Sequence, residues 1–339
     1  MKKLIVILLC AVFCATMVTS FVSTSIDNQS SSTSIVFLGD SIAEGVLGPA
    51  PLGERENYCY YAILGRINGF RYYNRSVSGH QTHQFLDLLN EEDNGATMTL
   101  THIKDADVIH VSILGNDLLQ NNLGETMLKY AQNDTVVLEQ ILAQSVKTFD
   151  AIVARLKELN PDALLIFQTV YNPVYNNTPI IAQDVLDQIF ALGRNYDDLR
   201  VMGAEILTML NSIVYNYLDE HPGAYVIADA YKVFGEIYES DPIKGQALIY
   251  TDGVHPSNYG HAVLAEITQE ILIEYGFAKE APAIKKYKNI KVEQLERMFA
   301  DYENTLDTIK NVKKATTFRE VSDAYFDGIG NQLPIYTKA

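Results

Sequence analysis

Short apolar runs alternate along this chain with longer amphipathic stretches, and that alternation limits the folds open to it. Ile35-Val36-Phe37-Leu38 is apolar at every position and stops at Gly39. A strand that is hydrophobic throughout, rather than at every second residue, is buried on both faces, as in a parallel sheet. Residues 70–74, 107–114 (DVIHVSIL), 163–170 (ALLIFQTV) and 224–228 (AYVIA) predict further strands. Helices are predicted over 58–68, 82–90, 135–159, 182–218 and 257–275, the third of them stopping at Asn160-Pro161. The expected fold class is therefore α/β, a mostly parallel sheet with helices on both faces. Ligands of such sheets sit beyond the carboxyl ends of the strands. Ser41, Gly79 and Asn116 each follow a strand by a few residues, so topology alone gathers them at one rim.

The flanks differ from this core. Lys2 and Lys3 precede an uncharged apolar run from Leu4 to about Val22. Residues 1–23 read as a cleaved signal peptide, with Val18-Thr19-Ser20 as small residues at the cut, or as an uncleaved N-terminal anchor. Both readings place the rest of the chain outside the cytoplasm. Residues 24–33 (TSIDNQSSST) form a polar linker, and the main domain is expected over 34–276. Residues 277–339 are expected to be a helical extension. There Val292, Leu295, Phe299, Tyr302, Leu306 and Ile309 fall three and four apart on one stripe, for packing on the core or for a homodimer contact.

Of 339 residues 47% are hydrophobic, enough for a sizeable core, and the formal net charge is -16. A chain so acidic is unsuited to nucleic acid, which needs clustered Lys and Arg, and to an anionic membrane surface. Cys10 and Cys14 lie in the N-terminal apolar run, leaving Cys59 alone in the main domain. No disulfide forms within that domain, and Cys59 is expected to be a buried thiol.

Four separated segments carry the chemistry. Ser41 stands just after the first strand, where a helix N-terminus offers free N–H groups and positive potential. Alone, Gly39-Asp40-Ser41 reads better as a helix cap than as a nucleophile turn, and the other three segments reverse that. Asp252 and His255 stand three apart, with Gly253 allowing a sharp turn and Pro256 favouring an extended His255. The Asp252 carboxylate then holds Nδ1 and leaves Nε2 to act as general base toward Ser41. Asn116 can direct a side-chain amide, and Gly79 a backbone N–H, at an oxyanion. Nucleophile, base, orienting acid and oxyanion donors make a set for acyl transfer.

This combination resembles the SGNH hydrolases, also called GDSL esterases and lipases. The resemblance is carried by GDS at 39–41, SG at 78–79, GND at 115–117 and DGVHPSNYGHA at 252–262, and extends over roughly 34–276. It implies a three-layer α/β/α flavodoxin-like sandwich with a five-stranded parallel sheet. It also implies Ser41 as nucleophile, His255 as base, Asp252 as its partner, and the Ser41 amide, Gly79 and Asn116 as the oxyanion hole. Ser76 and Leu114 stand where the family usually has glycine, a departure that concerns loop shape.

The expected substrate is a carboxylic ester, with short acyl groups on carbohydrate or small esters first and lipid esters second. No single segment supplies an evident apolar acyl groove. A binding module without turnover is the reading from another class, and intact Ser41, Asp252, His255, Gly79 and Asn116 speak against it. No metal or cofactor is expected, since His80 and His83 make only a lone H-x-x-H beside Asp40 and Asp252. His80, Tyr171 and Asn172 are expected substrate contacts at the rim. His110 and His261 are expected to be structural, and Asp40 and Asp117 to hold local loops.

Overall fold

The computed structural model describes residues 32–46, 59–94, 97–175 and 178–279. The N-terminal apolar segment, most of the linker and the helical extension with its expected dimer contact lie outside the described residues. Five strands form one parallel sheet: β1 (Ser34–Gly39), β2 (Arg71–Asn74), β3 (Val108–Ser112), β4 (Leu164–Gln168) and β5 (Val226–Ala228). Their spatial order is β2-β1-β3-β4-β5 and every neighbouring pair is parallel. This is the flavodoxin-like order, whose chain reverses its winding between β1 and β3 and opens a crevice there.

The described helices are α1 (Ser41–Glu44), α2 (Tyr60–Asn68), α3 (Thr82–Asn90), α4 (Thr99–Lys104), α5 (Gly115–Leu119) and α6 (Leu123–Ala131). They continue with α7 (Val136–Leu159), α8 (Gln183–Ala191), α9 (Tyr196–Glu220), α10 (Ala230–Ser240), α11 (Pro242–Ala247) and α12 (Asn258–Glu274). The period of two along each strand divides the core. Ile35 and Phe37 join Val108 and Ile166 in one layer, which includes α2 and α12 residues such as Leu64 and Ala262. Val36 and Leu38 join Ile109, Val111, Leu165 and Phe167 in the other, with Phe85, Phe149 and Ile206 from α3, α7 and α9. Each fully buried large side chain contributes about 1.5–3 kcal/mol relative to exposure, so both faces of β1 commit the strand to the sheet's interior.

The strand and helix positions follow the sequence closely, with one correction. The stretch 182–218 is two helices, not one. Gly193 takes φ 83°, and the Asn195 side chain accepts from the N–H groups of Asp197 and Asp198 in a capping box that starts α9. Periodicity continues through this break, which is why it hides the second start. The short helices α4, α5, α6, α10 and α11 were not expected. Cys59 is fully buried, its thiol donating to Gly45 O at 3.0 Å. His110 is enclosed between Phe37 and Tyr60, with Thr268 Oγ1 3.3 Å from Nε2. Burial pushes its pKa down to about 3, so it is a neutral core residue. His261 is likewise buried, stacked near the Tyr60 ring.

Candidate active site

Ser41 owes its position to the turn between β1 and α1. Gly39 has φ 130°, and a Cβ there would lie 1.8 Å from Ser112 O. Only glycine lets this turn close on the end of β3, where Asp40 N donates to Ser112 O at 3.0 Å. Asp40 then caps α1, its Oδ1 accepting from Ile42 N at 3.0 Å. The cap leaves the Ser41 N–H without an acceptor among the described residues. Ser41 itself is only 8% exposed.

The loop after β2 brings in Gly79. Val77 N donates to Gly39 O at 2.9 Å, and Ser78 N to Glu44 Oε2 at 2.6 Å, which ties this loop to the nucleophile turn. Gly79 has φ 84°. Its N–H, like that of Ser41, meets no acceptor among the described residues. Buried or half-buried N–H groups are nearly always paired, so two unpaired donors on adjoining loops mark a place prepared for an acceptor.

Asn116 comes from the turn between β3 and α5, 7% exposed. Its Nδ2 donates one hydrogen to His80 O at 3.1 Å, and its carbonyl accepts from Gln81 Nε2 at 3.2 Å. The second Nδ2 hydrogen has no acceptor in these contacts. Gln120 Nε2 donates to Gly79 O, so α5 and the Gly79 loop are bonded at several points. Below them Asp117 accepts from Thr82 N (3.0 Å), Thr82 Oγ1 (2.7 Å) and Ser145 Oγ (3.2 Å), joining α3, α5 and α7. Asp117 thus holds loops, as expected.

Asp252 and His255 form the remaining part. Asp252 Oδ1 accepts from the backbone N–H groups of Val254 and His255 at 2.9 and 3.0 Å, and Oδ2 lies 2.7 Å from His255 Nδ1. Burial alone would raise the Asp252 carboxyl, but the His255 ring and these backbone donors outweigh it and hold the group below its ordinary value. An ionised carboxylate only accepts, so Nδ1 carries the proton and Nε2 is the basic nitrogen. No hydrogen bond joins the Ser41 hydroxyl to His255 among the described residues. Such contacts often tighten only when substrate is bound.

The Asp40 carboxyl is raised to about 7, chiefly by burial, with the Ile42 N–H and the His255 charge pulling the other way.

The expected contacts at the rim divide. His80 is half-buried beside Gly79, its carbonyl engaged by Asn116 and its Nδ1 buried without a partner. Burial lowers its pKa. Tyr171 is 2% exposed and donates from its hydroxyl to Val254 O at 2.7 Å, while its ring stacks on Phe234. It positions the His255 loop, and its ring edges an apolar recess rather than reaching out to substrate polar groups. Asn172 donates its amide to Arg200 O on α9 and accepts from Val174 N with its oxygen, so its side chain ties the segment after β4 to α9. A metal group at His80, His83, Asp40 and Asp252 is not formed, since no three such side chains gather among the described residues.

The recess was not legible in the sequence. Ile42, Gly115 and Val254, neighbours in sequence of Ser41, Asn116 and His255, are among its walls, as are Leu118, Met127 and Leu207. It contains about 620 Å³ of atom-free space, including its mouth. Its walls come from segments far apart in the chain. The one local signal is Gly203 within α9, where a Cβ would sit 3.0 Å from Asn172 Oδ1 and from Val174.

Comparison with known families matches residues 37–263 to the GDSL-like lipase/acylhydrolase family. The chain belongs to that family, and it is a serine ester hydrolase. Among curated proteins, YpmR of Bacillus subtilis (strain 168), itself uncharacterised, is 24% identical over 259 residues, covering 73% of this chain and 84% of that protein. Among solved structures, the lipase Lip_vut3 from a goat rumen metagenome is 20% identical with a TM-score of 0.47, over 73% of this chain and 99% of that one. Phospholipase A1 from Streptomyces albidoflavus NA297 is 16% identical with a TM-score of 0.47, over 68% of this chain and 95% of its own.

Proposed function

We propose that this protein is an exported esterase acting by nucleophilic catalysis through Ser41. His255 Nε2 takes the Ser41 proton as Oγ attacks the ester carbonyl. The N–H groups of Ser41 and Gly79 and the Asn116 amide hold the oxyanion. His255 then protonates the departing alkoxide, leaving an acyl group on Ser41. Water, deprotonated by His255, attacks the acyl-enzyme and releases the acid. Asp252 keeps Nδ1 protonated and stabilises the imidazolium. The observation that supports this reading is the 2.7 Å Asp252–His255 bond, which holds Nδ1 and leaves Nε2 free to act as base. Export is supported by Lys2, Lys3 and the apolar run that follows them.

The apolar recess supports acyl chains longer than acetyl, and so revises the expectation of short acyl groups. Its walls offer carbon almost everywhere, and each buried methylene of a substrate chain is worth about 0.8 kcal/mol. The test is hydrolysis of nitrophenyl esters from acetate to palmitate by the wild type and by Ser41→Ala. The reading expects loss of activity in the variant and a maximum at intermediate chain length. A maximum at acetate would restore the short-acyl reading.

A further inference from the structure

Gly79 occupies the third position of a tight turn, and the geometry of that turn decides which way its N–H points. His80 N donates to Val77 O at 3.2 Å, which closes a four-residue turn over 77–80. Gly79 takes φ 84° while Ser78 keeps a negative φ, the pattern of a type II turn, which favours glycine at this position. The Gly79 N–H belongs to the central peptide of the turn, between Ser78 and Gly79. Hydrogen bonds weaken steeply with misalignment, so this N–H serves an oxyanion only if its peptide is held in one place relative to Ser41.

Two side chains hold the turn, one on each side of that peptide. The Ser78 N–H, one peptide before, donates to Glu44 Oε2 at 2.6 Å. The Gly79 carbonyl, one peptide after, accepts from Gln120 Nε2. Glu44 closes α1, the four-residue helix that Ser41 opens, so its carboxylate ties the turn to the nucleophile's own helix. That helix is itself fixed at both ends, by the Asp40 cap and by Gly45 at φ 81°. Two further bonds join the loop to the segment after β1, Val77 N to Gly39 O at 2.9 Å and Asn74 Nδ2 to Ala43 O at 2.8 Å. Both act before Ser78, so removing Glu44 frees the Ser78–Gly79 peptide to swing about Val77.

We propose that Glu44 is a positioning residue for ester hydrolysis, holding the Gly79 N–H in register with the Ser41 N–H so that both donors meet one oxyanion. The inference rests on the Ser41 hydrolase reading and adds to it a residue that touches neither substrate nor the reacting atoms. The ester carbonyl is a weaker acceptor than the oxyanion it becomes, so the effect falls on the transition state. Loss of Glu44 therefore lowers kcat and leaves KM nearly unchanged.

The test uses the full chain, nitrophenyl octanoate, and octylboronic acid, whose boron takes up the Ser41 oxygen in a tetrahedral adduct and sets an oxygen in the oxyanion hole. Glu44 is half-buried and alanine favours helix, so Glu44→Ala folds. It is expected to lower kcat roughly ten- to thirtyfold, less than outright removal of an oxyanion donor, with KM changed by no more than about twofold. The Ki of octylboronic acid is expected to rise by the same factor as kcat falls, because the adduct mimics the transition state. Glu44→Gln keeps an acceptor at the same reach and is expected to restore kcat to within about threefold of the wild type. A variant that is merely less well folded has fewer active molecules, which lowers kcat but moves neither KM nor Ki. The inference is overturned if kcat of Glu44→Ala stays within about threefold of the wild type, if kcat falls while Ki is unchanged, or if Glu44→Gln is as impaired as Glu44→Ala. If the wild type hydrolyses the ester no faster than Ser41→Ala, the hydrolase reading itself falls, and the inference with it.

Discussion

Asp252 binds His255 twice, accepting from its backbone N–H at 3.0 Å and from Nδ1 at 2.7 Å with different carboxylate oxygens. One oxygen sets where the histidine stands in the chain, and the other sets which way its ring faces. The same residue therefore shapes the loop and fixes the tautomer. Tyr171 secures this loop from beneath through Val254 O.

Asp252→Asn is expected to keep the loop bonds through its remaining carbonyl but to lose the fixed tautomer. By comparison with triads of this kind, kcat should fall by roughly 10⁴-fold with the fold retained. Steady-state kinetics beside a thermal unfolding curve would check this. A loss below tenfold would remove Asp252 from the base's machinery.

Gly39→Ala is expected to damage both fold and activity. The new Cβ has 1.8 Å to Ser112 O and a φ of 130° to tolerate. Strain and overpacking together amount to roughly 2–6 kcal/mol. Denaturant unfolding measures the loss, and a variant as stable as the wild type would contradict the close β1–β3 approach.

Leu114 takes φ 95°, a conformation that favours glycine, yet it is only 1% exposed. Leu114→Gly relieves backbone strain of about 1–3 kcal/mol but removes a buried leucine, worth about 2–5 kcal/mol when truncated. The packing loss is the larger, so the variant should be less stable. An increase in Tm would show that strain dominates.

Asp40 gives a stability dependence on pH. Its carboxyl is raised to about 7 in the folded chain from an ordinary 3.8. Between these values the folded state binds the proton and the unfolded state does not, so this group's contribution falls as pH rises from about 4 to 7. The effect is on the order of a few kcal/mol. Asp40→Asn keeps an acceptor for Ile42 N and removes the titration. The variant should gain on the wild type as pH rises through this window. A constant difference in Tm from pH 4 to 7.5 would contradict a raised Asp40.

Most of what positions the site was legible in the sequence, for identifiable reasons. Fully apolar runs such as Ile35–Leu38 mark strands buried on both faces, and the sheet rule then assembles Ser41, Gly79 and Asn116 without knowledge of contacts. The break at Gly193–Asn195 was hidden because apolar periodicity runs across it. Asn172 and Tyr171 follow β4 in the chain, but a place after a strand does not reveal which way a side chain turns. Asn172 turns to Val174 and to Arg200 on α9, and Tyr171 to Val254. The apolar recess was invisible because its walls come from several elements far apart in the chain.

If Ser41 is the nucleophile, a phosphonate ester that mimics the tetrahedral intermediate should label it. The most direct measurement is intact-protein and peptide mass spectrometry after treatment with a nitrophenyl alkylphosphonate, alongside nitrophenyl ester hydrolysis. A single phosphonyl adduct on the peptide holding Ser41, formed in step with the loss of activity and absent from Ser41→Ala, is the expected result. Undiminished hydrolysis by Ser41→Ala, or inactivation with the adduct on another residue, would contradict it.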